Sequence, residues 1–390
     1  MTISLLLATA SLWGGRGQIM TDQISADRLQ ETVTKLASFH TRNTLSPGLT
    51  EAAEWVAGEL RKIAGLKVEV WKYIIPKGRR VPEDKEVVEV IATLPGEDNR
   101  IVMVGGHLDS LNLQGEAMTV RAPGANDDSS GVALSMELAR VMSQRKWKHT
   151  LVFVAFSGEE QGLNGSRALA KRAKTEGWKI DAFLNNDTVG SSSNKLGQKD
   201  LATVRVFSED VPVHQGREMA RFIEWVCREK VKSPDPKKWF GIKLVLRKDR
   251  FGRGGDHTPF NDEGFSAVRF VETHEEYSRQ HTPDDLPEFM DFAYLANVTR
   301  MNLIAMSAFA NADLPPTNVL IKRDQSHNTT VTWAKTAGVR YVVYWRDTAS
   351  TEWQGFKEVG EADTATIEKV NKDDHVFAVG AVGGIPVEAK

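Results

Sequence analysis

The chain has 390 residues, which exceeds one ordinary hydrophobic core and predicts two domains. Apolar residues make up 41% of it and charged residues 26%, and the net charge of −2 gives no general attraction to nucleic acid or to an anionic membrane. We therefore expect no nucleic-acid partner. The single cysteine, Cys227, excludes an intrachain disulfide.

The first 23 residues are interpreted as a signal or a disordered start. The short apolar run Ile3–Leu12 contains Ala8-Thr9-Ala10 and resembles the core and cleavage site of a secretory signal, although no Lys or Arg precedes it. We therefore expect a secreted or periplasmic protein. The run is too short to cross a bilayer, and no other stretch of the sequence is long and apolar enough, so we expect no membrane span.

From residue 24 to residue 312, predicted helices alternate with predicted strands. Apolar positions at three- and four-residue spacing predict helix from Asp27 to Leu66, and the apolar run Ile101–Val104 predicts a strand buried on both faces. This alternation predicts an α/β fold with a mostly parallel twisted sheet flanked by helices. Further strands are predicted at Val68–Tyr73, Val87–Leu94, Leu151–Phe156, Phe183–Asn185, Val204–Phe207, Lys243–Leu246 and Ala267–Val271, and further helices at Gly131–Met142, Gly165–Thr175, around Cys227 and at Phe292–Ala310.

From residue 313 to residue 390 the pattern changes to short alternating strands separated by polar turns. Strands are predicted at Asn318–Ile321, Thr329–Trp333, Arg340–Trp345, around Glu358, at Thr366–Glu368 and at His375–Val379. This pattern predicts a small β-sandwich that resembles a fibronectin type III module. Its partner is unknown, and a passive appendage is the simplest interpretation, ahead of binding to carbohydrate, to a cell surface or to the first domain.

Five short segments of the first domain carry side chains of the types that bind metals. Each lies where a predicted strand ends, and open α/β sheets place their sites at the carboxyl ends of strands. The placement therefore favours one common site. The segments are Gly105–Ser110, Pro123–Gly131, Phe156–Gly162, Asn185–Gly190 and Gln280–Asp285.

The first two segments combine a histidine with carboxylates. His107 and Asp109 are two positions apart, so in extended chain their side chains can converge, and a carboxylate often fixes the tautomer of a metal-bound His. Asp127 and Asp128 stand directly before a predicted helix. One of them can cap the helix while the other binds a metal.

The other three segments add two glutamates, an aspartate and a second histidine. Of the adjacent Glu159 and Glu160, one can bind metal while the other serves as general acid or base. Asp187 ends another strand, and His281 lies in a turn-rich loop. Each segment alone is explained by a structural role at least as often as by a functional one. Together, however, the segments match the ligand set of a two-zinc site. Manganese or cobalt could substitute for zinc there.

With all five segments in this order, the sequence resembles the zinc peptidases that include bacterial leucyl-type aminopeptidases, glutamate carboxypeptidases and glutaminyl cyclases. The resemblance covers about residues 27–312. It implies two zinc ions per chain, bridged by Asp127. His107 and Asp187 would complete one metal position, and Glu160 and His281 the other.

The resemblance also implies roles for residues around the metals. Asp109 would orient His107, and Glu159 would be the general base. The implied activity is that of a metallo-exopeptidase, which removes N-terminal amino acids from peptides with a free N-terminus by a di-zinc-bound hydroxide. Gly255 stands where the family usually has Ser, and Glu272 and Tyr277 fall where the family often lines its pocket.

Two kinds of alternative stay open at the level of sequence. A carboxypeptidase acting on acidic substrates would need arginines, and Arg250, Arg253 and Arg269 precede the last segment. A glutaminyl cyclase typically works with one zinc, so the complete second ligand set argues against it. A non-catalytic binding domain is opposed by the intact ligand set and by the presence of Glu159.

Overall fold

A computed structural model describes residues 20–116, 118–209, 215–250, 254–323 and 326–390. The predicted signal run Ile3–Leu12 lies outside the described residues, so the secreted or periplasmic location stays a prediction. Every helix in the described part of the chain is too short or too polar to cross a membrane.

The predicted helix from Asp27 to Leu66 is in fact two helices, α1 (Ala26–Ser38) and α2 (Pro47–Arg61). The sequence prediction was wrong about the intervening segment, where the buried Arg42 donates hydrogen bonds to the carbonyls of Leu36, Leu108 and Gly124. Those bonds hold the chain in a non-helical path. Pro47 then starts the second helix, because a proline at the first helical position needs no N–H partner.

A nine-stranded sheet forms the centre of the described part of the chain. Its strands are β1 (Lys67–Ile75), β2 (Lys85–Leu94), β3 (Arg100–His107), β4 (Thr150–Phe156), β5 (Lys179–Asn186), β6 (Thr203–Phe207), β7 (Val231–Lys232), β8 (Trp239–Val245) and β9 (Ala267–Glu272). They lie in the order β1-β2-β4-β3-β5-β9-β6-β8-β7. Four pairings are parallel (β3 with β4, β3 with β5, β5 with β9, β6 with β8) and four are antiparallel, so the sheet is mixed and the prediction of a mostly parallel sheet was wrong. Apolar runs reveal burial but not strand direction.

Helices cover both faces of this sheet, as predicted. Alternate residues of β3 enter different cores: Val102 and Val104 belong to the large core on the side of the helix Ser129–Met142, whereas Met103 belongs to the core of Phe183 and Phe260 on the other face. The strands of the central sheet are therefore buried on both sides. The remaining helices are α3 (Ser129–Met142), α4 (Asn164–Thr175), α5 (Gly216–Cys227), α6 (His257–Asp262) and α7 (Phe292–Phe309).

The last part of the chain forms two small antiparallel sheets, one of three strands and one of four. Residues of both sheets, among them Val331, Tyr341 and Phe377, share one apolar cluster. The other side of the four-stranded sheet contacts the main core through Tyr344 and Trp353. The strands are β10 (Thr317–Ile321), β11 (Thr329–Ala334), β12 (Tyr341–Asp347), β13 (Gly355–Gly360), β14 (Thr364–Ile367), β15 (His375–Ala381) and β16 (Val387–Glu388).

Candidate metal centre

The structure brings the five predicted ligands together at one edge of the sheet. His107 is the last residue of β3, Glu160 follows β4, and Asp187 directly follows β5. These three strands are adjacent and parallel, so their carboxyl ends lie side by side. Asp127 comes from the loop before α3, and His281 from the loop between β9 and α7.

The carboxylate of Asp127 lies between the two histidines. Its Oδ1 atom is 3.0 Å from Nε2 of His107, and its Oδ2 atom is 3.1 Å from Nε2 of His281. On the first side, Oδ1 of Asp187 lies 3.8 Å from His107 Nε2, and on the second side, Oε1 of Glu160 lies 3.0 Å from His281 Nε2. Asp127 is therefore placed as the shared member of two ligand sets.

The donor set fits divalent cations. Ligand atoms of Asp127, Glu160 and His281 all lie within 4.8 Å of one another, as do those of His107, Asp128 and Asp187. Oε1 of Glu160 is buried and has no hydrogen bond within the described part of the chain although His281 Nε2 is close, which is expected where two ligand atoms face a common third position. Imidazole nitrogens mixed with carboxylate oxygens suit zinc.

The carboxylates strongly perturb both histidines. Burial lowers the pKa of the His281 imidazole, but Asp127 and Glu160 outweigh it and raise that pKa to about 11. Burial likewise opposes the charged form of His107, and the carboxylates of Asp109, Asp127 and Asp187 raise its pKa well above the usual range. Without another cation, the site therefore holds protons on both rings.

Asp109 contacts His107, but not in the expected way. Nδ1 of His107 lies 3.0 Å from the backbone oxygen of Asp109, while the carboxylate is 3.6 Å away. That carboxylate accepts hydrogen bonds from the backbone N–H groups of Glu159 and Glu160 and from the hydroxyl of Thr44. Asp109 therefore fixes the turn that carries both glutamates.

Glu159 lies beside the ligands, and its carboxylate is grouped with His107 and Glu160. Burial, together with repulsion from Glu160 and Asp187, raises the pKa of Glu159 well above its usual range. A carboxylate with a raised pKa binds a proton more readily than an ordinary Glu does, which favours a general base.

Asp128 caps a helix, as the sequence allowed for one member of the pair. Its Oδ1 atom accepts from the N–H of Gly131 at the start of α3, and its Oδ2 atom accepts from the N–H of His107. The same carboxylate also accepts from the N–H of Thr188. Asp128 therefore joins the loops that carry His107, Asp127 and Asp187.

Three further contacts to the ligands were not predicted from the sequence. Asp285 accepts from the N–H of Asp127 (3.0 Å), and Gln280 Nε2 donates to Asp127 Oδ2 (2.6 Å). The fully buried guanidinium of Arg269 lies 3.1 Å from Oδ2 of Asp187 and also pairs with Asp249. Gln280 and Asp285 belong to the segment of His281, but nothing in the sequence indicates which ligand they contact.

The residues assigned to the pocket by resemblance have different environments. Glu272 is fully buried and accepts a hydrogen bond from Asn126, whereas Tyr277 is 61% exposed.

Of the arginines considered for a carboxypeptidase, Arg250 lies 3.4 Å from Asp187 Oδ2, and Arg253 lies outside the described residues. A Cβ at Gly255 would lie 3.3 Å from Arg269 Cδ, so the glycine gives the buried arginine room.

Comparisons with known proteins identify relatives of the whole chain. The profile of peptidase family M28 matches residues 89–306. A probable zinc metalloprotease of Leptosphaeria maculans is 35% identical over 94% of each chain, and one of Pyricularia oryzae is 35% identical over 98% of this chain and 84% of its own.

Solved structures show the same fold at low sequence identity. Legionella pneumophila LapA aminopeptidase matches with a TM-score of 0.58 at 18% identity, covering 75% of this chain and 73% of its own. Fimbriiglobus ruber glutaminyl cyclase matches with a TM-score of 0.57 at 18% identity, covering 73% and 95%. From the profile match and the fungal relatives together, the chain belongs to peptidase family M28.

Proposed function

We propose that this zinc metallopeptidase is an aminopeptidase that removes single residues from the N-terminus of peptides and uses two zinc ions. The observation that carries the proposal is the position of Asp127, whose two carboxylate oxygens face two different histidines at 3.0 and 3.1 Å. A carboxylate in that position would be shared by two ions, as in two-metal hydrolases.

Each ion would have its own ligands besides Asp127. His107 and Asp187 would hold one, and Glu160 and His281 would hold the other. When bound, two divalent ions would acidify a water molecule and polarise the scissile carbonyl group. The chain's own residues would place the peptide and move the protons.

Glu159 is proposed as the group that moves the proton. Its carboxylate would accept a proton from the attacking water and return it to the leaving amine, which its raised pKa allows. Asp109 would act as a positioning residue, because its carboxylate holds the N–H groups of Glu159 and Glu160.

The charges around the site favour an aminopeptidase over a carboxypeptidase acting on acidic substrates. Arg269 is fully buried and already pairs with Asp187 and Asp249, and Arg250 is directed to Asp187 as well. Both guanidinium groups are therefore already engaged by carboxylates of the chain, and Arg253 lies outside the described residues. The pocket beside Asp127 is instead lined by glutamates, which would attract a cationic N-terminus.

A glutaminyl cyclase is the second candidate, supported by the structural similarity to the Fimbriiglobus ruber enzyme. Both ligand sets around Asp127 have their His and carboxylate in place here, whereas a one-zinc enzyme needs only one set. A measured content of one zinc per chain, with conversion of N-terminal glutamine to its cyclic form, would favour the cyclase.

The two C-terminal sheets are proposed to form one β-sandwich domain of the fibronectin type III kind over residues 313–390, following a peptidase domain over residues 24–312. The apolar cluster that the two sheets share supports this division. Because the four-stranded sheet also contacts the main core, we propose a structural role for it.

The activity can be tested by mass spectrometry on a set of decapeptides with free and with acetylated N-termini. We expect successive loss of single residues from free N-termini, no cleavage of the acetylated peptides, and loss of activity after treatment with a chelator, restored by zinc. Shortening from the C-terminus, or activity that survives complete metal removal, would refute the proposal.

A further inference from the structure

A pocket opens beside the bridging Asp127, and its wall is unusually acidic. One side comes from the end of β9 and the following turn, which contribute Glu272, Glu275 and Glu276. The opposite side comes from the apolar residues Leu286, Phe289 and Met290. The lining therefore combines carboxylates with surface that aliphatic groups can contact.

Two of the three glutamates are already bound to other parts of the chain. Both oxygens of Glu272 accept from Asn126 Nδ2 (3.1 and 3.0 Å), and Oε2 also accepts from the N–H of Ser191. Glu276 accepts from the N–H of Lys195 and pairs with Arg279 at 3.3 Å. These two carboxylates shape the pocket.

Glu275 differs from its neighbours. Its Oε1 atom lies 2.6 Å from the guanidinium of Arg205 on β6, and the phenol of Tyr277 also interacts with this carboxylate, but no donor among the described residues meets Oε2 in hydrogen-bond geometry. The side chain is only 7% exposed, so water reaches it poorly. A buried carboxylate oxygen without a donor is costly, and a ligand that brings a donor would remove that cost.

We propose that this pocket binds the basic side chain of an N-terminal Lys or Arg, with Oε2 of Glu275 as its charged acceptor. The inference rests on the proposed aminopeptidase function and names the substrate class of that site. The methylene stem of Lys or Arg would pack against Phe289 and Met290 while the cation reaches the carboxylate. Arg279 also lines this pocket; its guanidinium lies 3.9 Å from the ring centre of Phe289, and its charge is paired with Glu276 at 3.3 Å.

Glu275 suits a side chain better than it suits the substrate's α-amine. Asn126, which adjoins the bridging Asp127, donates to Glu272, whereas Glu275 is anchored on β6 through Arg205. The α-amine of the substrate has to lie close to the metals in an aminopeptidase. Glu275 therefore belongs to the part of the wall that a longer side chain would reach.

The wild-type enzyme provides the first test. We would measure kcat/KM for p-nitroanilides of Lys, Arg and norleucine, since norleucine has the length of Lys without its ammonium group. The expected result is a kcat/KM at least roughly 10-fold higher for Lys and Arg than for norleucine, because a buried charged acceptor discriminates strongly against an uncharged group. Equal or faster hydrolysis of norleucine anilide would overturn the inference.

The variant Glu275→Gln tests the named residue. Its kcat/KM for Lys and Arg should fall roughly 10- to 100-fold, while the value for norleucine should change less than about threefold and report that the enzyme is folded. Glu288→Gln is the matched control, because Glu288 is exposed, lies next to Phe289 and carries the same charge. This control substitution should leave kcat/KM for all three substrates within about twofold of the wild-type values.

The outcomes separate this inference from the proposed function. An equal fall on all three substrates would mean that Glu275 acts on the α-amine or on folding, and it would overturn the inference while leaving the aminopeptidase proposal standing. A wild-type enzyme that hydrolyses none of the three substrates, nor the decapeptides, would refute the proposed function itself.

Discussion

Glu159 and Glu160 are neighbours in one turn, yet only Glu160 is placed as a ligand facing His281. We predict that Glu159→Gln lowers kcat by roughly 10²- to 10⁴-fold and leaves the metal content unchanged, because the amide cannot take the proton but the five ligands remain. The matched variant Glu160→Gln should lose metal. Turnover together with metal analysis on both purified variants checks this, and a Glu159→Gln enzyme that has lost its zinc would contradict the assignment.

Protons and metal ions compete for the same histidines. His281 has a pKa of about 11 in the metal-free protein, so it carries a proton at every pH between 6 and 8 and must release it when an ion binds. We therefore predict that affinity for each ion rises by about tenfold per pH unit across this range. Calorimetric titration with zinc in two buffers of different ionisation enthalpy measures both the affinity and the protons released. A zinc affinity that does not change with pH would contradict the raised pKa of His281.

At the residue scale, the sequence predicted the ligands better than their supports. Residue type and position at strand ends predicted that His107 and Asp187 would lie near a common site, whereas the choice of Asp127 over Asp128 came from the family resemblance. The sequence did not predict that Arg269 would lie behind Asp187, because the contact depends on strand pairing across the sheet. The sequence also did not predict that the Asp109 carboxylate would accept hydrogen bonds from the N–H groups of Glu159 and Glu160 and from the hydroxyl of Thr44.

At the scale of elements, helix α5 joins the central sheet to the C-terminal sheets. The ring of Trp225 lies 5.9 Å from that of Tyr344 and 5.1 Å from that of Phe356, and Arg228 donates to the carbonyl of Trp353. Such contacts bury a large apolar area on both sides. The C-terminal sheets are therefore packed against the part of the chain that carries the site.

We predict that Trp225→Ala lowers the free energy of unfolding by about 3–5 kcal/mol, the usual cost of removing a buried Trp. Trp239→Ala is the control, because Trp239 is 39% exposed and should cost less than about 1 kcal/mol. Urea denaturation followed by circular dichroism measures both values. An equal effect of the two substitutions would show that α5 does not depend on the C-terminal sheets.

The positions of strands and helices could be predicted from apolar patterns, but their directions could not. The apolar runs of β2 and β4 look alike in sequence whether the strands pair parallel or antiparallel, and in the structure they pair antiparallel. Strand direction follows from connections that bring distant segments together. The mixed sheet therefore became evident only in three dimensions.

At the scale of the whole molecule, the site depends on strand order. The proposed ligands are spread from residue 107 to residue 281, and they meet because β4, β3 and β5 are adjacent and parallel while the loop after β9 folds over the same edge. This is why the order of the five segments in the sequence was informative although no single segment was.

The most direct test of the two-metal centre is anomalous diffraction from crystals of the zinc-loaded enzyme, recorded on both sides of the zinc absorption edge. We predict two anomalous peaks about 3.5–4 Å apart, with the carboxylate of Asp127 between them. His107 and Asp187 should contact one peak, and Glu160 and His281 the other. A single peak, or two peaks of which neither touches Asp127, would contradict the account.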